Sequence, residues 1–272
     1  MDKLQIERLT ALGHAGRMAL YRLLVRRYPD YVASGDLAEI LGQRTNTMSV
    51  YLGTLLRAGL VEQKREGRSQ LYRFDPEGAD SLTSYLYKDC CRGRPANCAV
   101  PEIFSPPRDK QKVLFLCTGN SARSIMAEVI LRDLAGGRFE VRSAGTRPAV
   151  ALNPVCLQIL QDKGHDVTGL RPRHLSDLKD EVFDFVFTVC DRAANEDCPS
   201  WPGLPVMAHW GVPDPATPQN HATPAEMLLG FQRVYGELHR RLTLFAALDV
   251  HALDRLSLQN ELDEISQSGE KK

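Results

Sequence analysis

Apolar residues recur at helical spacing from 4 to 28, with Leu20, Leu23 and Leu24 on one side, and Pro29 closes the run. Ser34 and Asp36 precede the short pattern LAEILG, which ends at Gly42. After a brief link, TNTMSVYLGTLLRAGL predicts a second helix, with Thr45 placed as N-cap and Gly59 just past its end. Two short helices on a tight turn predict a helix-turn-helix. The period then changes: LVEQKREGRSQLYRF alternates toward a hairpin with Glu66-Gly67 near its tip, and a helical stretch follows from Pro76 to Lys88.

Beyond residue 110 the pattern is of another kind. VLFL at 113–116 is a run of apolar residues too short for a helix and bounded by polar ones, as in a buried parallel strand. It leads into IMAEVILRDLA, apolar at 125, 126, 129, 130, 131 and 134. FEVRSAG, DFVFTVC and LPVMAHW read as three more strands, NPVCLQILQDKG as a helix, and Pro224–Leu248 as a long amphipathic helix. DVHALDRLSLQNELDEI predicts one more helix and SQSGEKK a disordered tail. Alternating strands and helices predict an α/β doubly wound parallel sheet, whose ligands collect at the carboxyl ends of the strands. Between the patterns, residues 96–110 are aperiodic and, with Pro95, proline-rich, which predicts a linker. The expected division is therefore 1–95, linker 96–110, 111–248, and a terminal piece 249–272.

Composition sharpens this only in places. The chain of 272 residues has no net charge overall, but residues 1–100 carry +4 and the rest −4, a mild basic excess on the helix-turn-helix side. No run of 18 apolar residues is present, and MDKLQIERL lacks a signal-peptide core, so a cytoplasmic protein without a membrane partner is expected. In a reducing compartment the seven cysteines point to thiol or soft-metal chemistry instead of disulfide scaffolding.

The first such chemistry lies where the strand at 113–116 stops. Cys117 is followed after five residues by Arg123, and the small residues Thr118, Gly119, Asn120, Ser121 and Ala122 lead to Ser124 at a helix start. Such a loop turns several N–H groups toward one centre and binds an oxyanion. The same field would lower the Cys117 pKa toward a thiolate near neutral pH, and Arg123 would grip two oxygens of a tetrahedral anion. Cys156, inside a helical pattern among Val155, Leu157, Ile159 and Leu160, reads as a packed small hydrophobe.

The Cys117 to Ser124 stretch resembles the low-molecular-weight tyrosine phosphatases, and the chain from about 111 to 248 resembles the branch that reduces arsenate with cysteine thiols. The resemblance makes Asp214, in VPDPA, the group that protonates the leaving oxygen. Phosphatases of this fold usually have an aromatic residue where Ala216 stands, a slot that a small anion does not need. Cys190 and Cys198 supply thiols a phosphatase would not use: Cys190 would attack the sulfur of a Cys117–arsenic adduct, and Cys198 would then free Cys117. Thioredoxin, or glutathione with glutaredoxin, would reduce the final disulfide. Ala122 stands where many members have a cysteine outside this relay. Asn120, Glu128, Ser143 and Asp177 match a polar set that supports the loop, and in some relatives a potassium ion; no metal is assigned here, nor any tightly bound cofactor.

The AGLV and REG…YRF segments resemble repressors of the ArsR/SmtB type, in which a basic hairpin behind the helix-turn-helix makes a winged helix. That resemblance implies a homodimer on operator DNA, with Arg44, Thr45, Asn46, Thr47, Ser49 and Tyr51 facing the major groove and Arg65 and Arg68 reaching phosphates or the minor groove. Cys90, Cys91 and Cys98 offer three thiols at the end of this module, a set suited to arsenite as effector. The expectation is thus an arsenite-responsive repressor fused to an arsenate reductase. Its alternatives are a tyrosine phosphatase with an accessory DNA-binding domain, and a pure regulator that senses an oxyanion.

Overall fold

The computed structural model describes residues 2–91, 110–196, 201–217 and 223–268. The chain divides into two compact units, Met1–Glu102 and Ile103–Lys272, so the division falls inside the segment expected to be a linker. None of the helices among the described residues is long and apolar enough to cross a membrane.

In the first unit the apolar run at 4–28 is two helices, α1 (Asp2–Leu12) and α2 (Ala15–Arg27). The break comes at Gly13-His14, where the His14 side chain accepts the Gly16 N–H and caps α2. Strand β1 (Val32–Ala33) precedes α3 (Ser34–Ile40), and a turn leads to α4 (Thr45–Arg57). Thr45 is the first residue of α4 and Arg44 occupies the cap without a side-chain bond, which corrects the expected cap by one residue. Strands β2 (Val61–Glu66) and β3 (Ser69–Phe74) form the hairpin, with β1 added at its edge in the order β1-β3-β2, all antiparallel. Helix α5 (Pro76–Tyr85) starts on Asp75, whose carboxylate accepts from Glu77 and Gly78, and runs into a π-helical turn, Leu86–Cys90. The core is one seam: Leu20, Leu23 and Leu24 from α2, Leu37 from α3, and Met48, Leu52 and Leu55 from α4, all fully buried.

The tightest junction in this unit joins α5 to the turn after α4. Gly59 takes φ +60, a left-handed conformation that ends α4, and a Cβ on Gly78 would lie 1.7 Å from the Gly59 carbonyl oxygen. Nothing flexible can yield there. Gly78→Ala is expected to destabilise the first unit by about 3 kcal/mol or more, read as a lowered urea midpoint of the full chain, whereas Gly53→Ala, with only the Arg57 side chain nearby, should not.

The second unit is a four-stranded parallel sheet of order β5-β4-β6-β7, from β4 (Gln111–Cys117), β5 (Phe139–Gly145), β6 (Phe185–Thr188) and β7 (Val206–His209). The helices are α6 (Arg123–Leu134), α7 (Pro154–Asp162), α8 (Asp191–Asn195), α9 (Pro224–Ala247) and α10 (Arg255–Gln267), with a 3-10 turn at Leu175–Leu178. Side-chain alternation along β4 feeds two cores. Val113, Phe115 and Cys117 enter the larger, with α6, α9 and α10; Leu114 and Leu116 enter a smaller one with Leu175, Phe183, Val186 and Trp201.

Helix α9 starts with a capping box between Thr223 and Glu226 and presents Phe231, Val234, Leu238, Leu242 and Phe245 as one stripe. Burying each such side chain contributes about 1.5–3 kcal/mol. Phe245 and Trp210 close around Phe187, whose ring lies 4.2 Å from that of Trp210. The terminal piece set apart at 249–272 includes α10, which sends Leu258, Leu262 and Ile265 into this same core and accepts the Trp210 indole N–H on the Leu262 carbonyl at 3.0 Å.

Candidate active site

All three parallel junctions of the sheet run the same way, so the ends of β4, β6 and β7 bring Cys117, Cys190 and His209 to one edge. The loop after β4 is held from both sides. Along its outer edge, backbone N–H groups of Thr146, Arg147, Ala149 and Asn153 donate to the carbonyls of Cys117, Thr118, Gly119 and Ser121 at 2.8–3.2 Å. Gly145 permits this approach: a Cβ there would lie 2.6 Å from the Thr118 carbonyl oxygen.

Beneath the loop, Asn120 takes φ +43, a left-handed conformation that asparagine tolerates better than most residues. Its amide donates to Ser124 Oγ at 2.9 Å and Ser143 Oγ at 2.8 Å, and its carbonyl accepts the Arg173 N–H at 2.7 Å. Ser143 in turn donates to Glu128 at 2.5 Å, a buried carboxylate 3.6 Å from the Arg173 guanidinium. Asn120, Glu128 and Ser143 thus meet, three of the four residues that the resemblance groups together. Asp177 does not join them; its carboxylate completes a capping box with His174 at the 3-10 turn. Arg173 has no signature in sequence, since its partner Glu128 comes from another element.

At the centre, Cys117 Sγ lies 3.0 Å from the Asn120 backbone N–H and 2.9 Å from Ser124 Oγ. Helix α6 has Ala122 at its cap with no side-chain bond, so its first N–H groups face the loop without a capping side chain. Arg123 donates to Asp214 at 2.8 Å and to the Val212 carbonyl at 3.3 Å. Cys190, also buried, has its Sγ 3.5 Å from the Thr118 hydroxyl and 3.4 Å from the Ala193 N–H. Two buried thiols therefore share one loop. Cys156 packs as expected: it is fully buried, its Sγ faces the Ala122 carbonyl at 3.7 Å, and burial pushes its thiol up to about 12.

The expected thiolate at Cys117 is corrected. Burial pushes its pKa above the ordinary thiol value; the Ser124 hydroxyl opposes this, and Arg123 opposes it least. The physical reason is that Cys117 is only 3% exposed while the guanidinium charge is paired with Asp214. Ionisation should therefore be favoured when Asp214 is removed. In the wild-type protein, alkylation of Cys117 by iodoacetamide should still be rising with pH beyond the range of a free cysteine, and Asp214→Asn should move that profile to lower pH. An unmoved profile would mean that the Asp214 pairing does not control the thiol.

The other expected sites lie elsewhere. On α4 and its cap, Arg44, Thr45, Asn46 and Ser49 are exposed, Thr47 and Tyr51 are half-buried, and Arg65 and Arg68 are exposed at the hairpin. Tyr51 packs its ring beside His14 at 5.1 Å and against Gly16, and Ser49 donates back to the Thr45 carbonyl. Cys90 is a free exposed thiol and Cys91 is disulfide-bonded. Cys98 and Cys198 fall outside the described residues.

Residues 112–257 match the model of the low molecular weight phosphotyrosine protein phosphatase family. The arsenate reductase of Bacillus subtilis (strain 168) is 38% identical over 138 residues, which cover 49% of this chain and 94% of that protein. Among solved structures, the arsenate reductase of Archaeoglobus fulgidus DSM 4304 is similar at 26% identity, with a TM-score of 0.41 over 50% of this chain and 99% of its own. The thioredoxin-dependent arsenate reductase of Corynebacterium glutamicum is similar at 21% identity, with a TM-score of 0.37 over 78% of this chain and 95% of its own.

Proposed function

The chain belongs to the low molecular weight phosphotyrosine protein phosphatase family and its second unit is an arsenate reductase, and from that premise we propose a thiol relay through Cys117, Cys190 and Cys198, fused to an arsenite-responsive repressor. The observation that carries the relay is the pair of buried thiols at the anion loop, Cys117 at its start and Cys190 with its Sγ 3.5 Å from the Thr118 hydroxyl. Arsenate takes the place of the Asp214 carboxylate on Arg123. Asp214, freed, takes the proton of the Cys117 thiol and passes it to the departing oxygen as Cys117 Sγ bonds to arsenic. Cys190 then attacks Cys117 Sγ; the S–S bond forms as the S–As bond breaks toward arsenic, and two electrons pass from sulfur to arsenic. With two protons taken up, arsenite leaves as the neutral acid. Cys198 resolves the Cys117–Cys190 disulfide, and thioredoxin, or glutathione with glutaredoxin, reduces the Cys190–Cys198 bridge. Incubating the protein with arsenate and each reductant while following arsenite tests this directly. A phosphatase reading is disfavoured by Ala216 and by a second buried thiol that phosphoryl transfer would leave idle.

For the first unit, the helix-turn-helix α3–α4 and the hairpin β2–β3 support a winged-helix reading, with the exposed polar end of α4 in the major groove and Arg65 and Arg68 on the backbone. A homodimer would then bind an inverted repeat, and its affinity would fall steeply with salt. Arsenite, not arsenate, suits the thiols Cys90, Cys91 and Cys98, once Cys91 is reduced. Weakening operator binding about a hundredfold requires arsenite to favour the non-binding conformation by about 3 kcal/mol. The expected outcome in a mobility shift is that arsenite releases the DNA and that arsenate does so only with reductant. A triple Cys→Ser variant at 90, 91 and 98 that still responds to arsenite would place the sensor elsewhere.

A further inference from the structure

The reduction step needs Cys190 Sγ to reach Cys117 Sγ in line with the S–As bond, so whatever fixes Cys190 fixes the rate of arsenite release. Cys190 lies between the end of β6 at Thr188 and the start of α8 at Asp191. Both neighbours are tied to one side chain from a third element. His209, at the end of β7, is 2% exposed; its Nδ1 lies 2.8 Å from the Thr188 hydroxyl and its Nε2 lies 3.3 Å from Asp191 Oδ1. An ionised Asp191 carboxylate can only accept, which places a proton on Nε2; in the neutral ring Nδ1 then accepts from the Thr188 hydroxyl. Backbone bonds brace the same place, with Trp210 N–H on the Thr188 carbonyl and Val212 N–H on the Val189 carbonyl. Room for the clamp comes from Gly211: a Cβ there would lie 2.7 Å from His209 Nε2 and 2.8 Å from Asp191 Oδ1.

We propose that His209 is a positioning residue for the second thiol, holding Thr188 and Asp191 on either side of Cys190 so that its sulfur stays at the anion loop. This rests on the relay reading. It makes a specific demand: the clamp acts on the S–S bond-forming step and leaves arsenate binding and the Cys117 environment alone.

The experiment is single-turnover arsenite release from the fully reduced full-length chain without external reductant, paired with protection of Cys117 from iodoacetamide by arsenate. His209→Phe keeps the ring and removes both hydrogen bonds. Release is expected to slow about 10–100-fold, the scale of a small misplacement of reacting atoms, while arsenate protects Cys117 at the wild-type concentration. His209→Gln, which can still donate toward Asp191, should recover part of the rate. Asp191, whose side chain is 61% exposed, provides a variant that should fold if His209→Phe does not: Asp191→Ala should also slow release without shifting protection. Release at the wild-type rate from folded His209→Phe, or from Asp191→Ala where the former fails to fold, overturns the proposal. So does a slowing matched by an equal loss of arsenate protection, which would mark a general disturbance of the site. Cys190→Ser separates the levels: it should abolish release and keep protection, and release at the wild-type rate from it would remove the relay and the clamp with it.

Discussion

Serine in place of Cys117 is expected to end arsenite formation with every reductant, a loss on the order of 10^5-fold or more because a hydroxyl is a far weaker acid and a harder nucleophile than a thiol and does not replace it on arsenic. The other two cysteines should fail differently. Cys190→Ser can still form the adduct on Cys117 but has no buried thiol to take it apart, so it should release no arsenite while protecting Cys117 from alkylation. Cys198→Ser should release one equivalent and stop with Cys117 joined to Cys190. Arsenite counted per chain, with the disulfide located by mass spectrometry, distinguishes the three. Sustained turnover by Cys198→Ser with thioredoxin would show that another thiol, or the external reductant itself, resolves the first disulfide.

Arg123 carries the second large effect. Its guanidinium reaches Asp214 and the Val212 carbonyl at once, a fork that an ammonium group cannot reproduce. Arg123→Ala should lower kcat/KM for arsenate on the order of 10^3-fold, the scale of losing a charged donor at an oxyanion. Arg123→Lys should recover only part of it, since lysine keeps the charge and loses the two-point grip. Asp214→Asn should behave unlike either: with the resting partner neutral, arsenate no longer displaces a carboxylate, so KM should fall, while kcat falls through loss of the acid. A lysine variant indistinguishable from wild type would mean that charge alone, without geometry, holds the substrate.

Much of this is legible in the amino-acid sequence. The apolar run at 113–116 lies within β4, because a strand buried on both faces needs apolar side chains throughout, and FEVRSAG matches β5 residue for residue, its Phe139 and Val141 buried and its Glu140 and Arg142 partly exposed, as alternation on an edge strand requires. The break between α1 and α2 was not legible: no proline marks it, and the cap is a histidine ring that accepts a backbone N–H, a role the letter at 14 does not announce. Helix α10 shows the same limit in another form. Leu258, Leu262 and Ile265 lie at helical spacing, yet only tertiary contact tells that they enter the core around Trp210.

The anion loop stood out because strand, small residues and helix start are consecutive. What surrounds it is assembled from distant positions. Arg173 reaches Glu128, and His209 reaches Thr188 and Asp191, through the order of the sheet. The ionisation of Cys117 escapes the sequence for a related reason: local sequence shows the N–H groups and the arginine that favour a thiolate, but not the burial that opposes it or the carboxylate that occupies the arginine.

One measurement bears most directly on the account. The fully reduced chain, freed of small thiols, is mixed with excess arsenate, quenched, and assayed for arsenite and for disulfide position. The account predicts one arsenite per chain and a Cys190–Cys198 disulfide, with a Cys117–Cys190 disulfide replacing it in Cys198→Ser. Arsenate left unreduced by the reduced chain, together with hydrolysis of a phosphotyrosine ester that Cys190→Ser performs equally well, would contradict it.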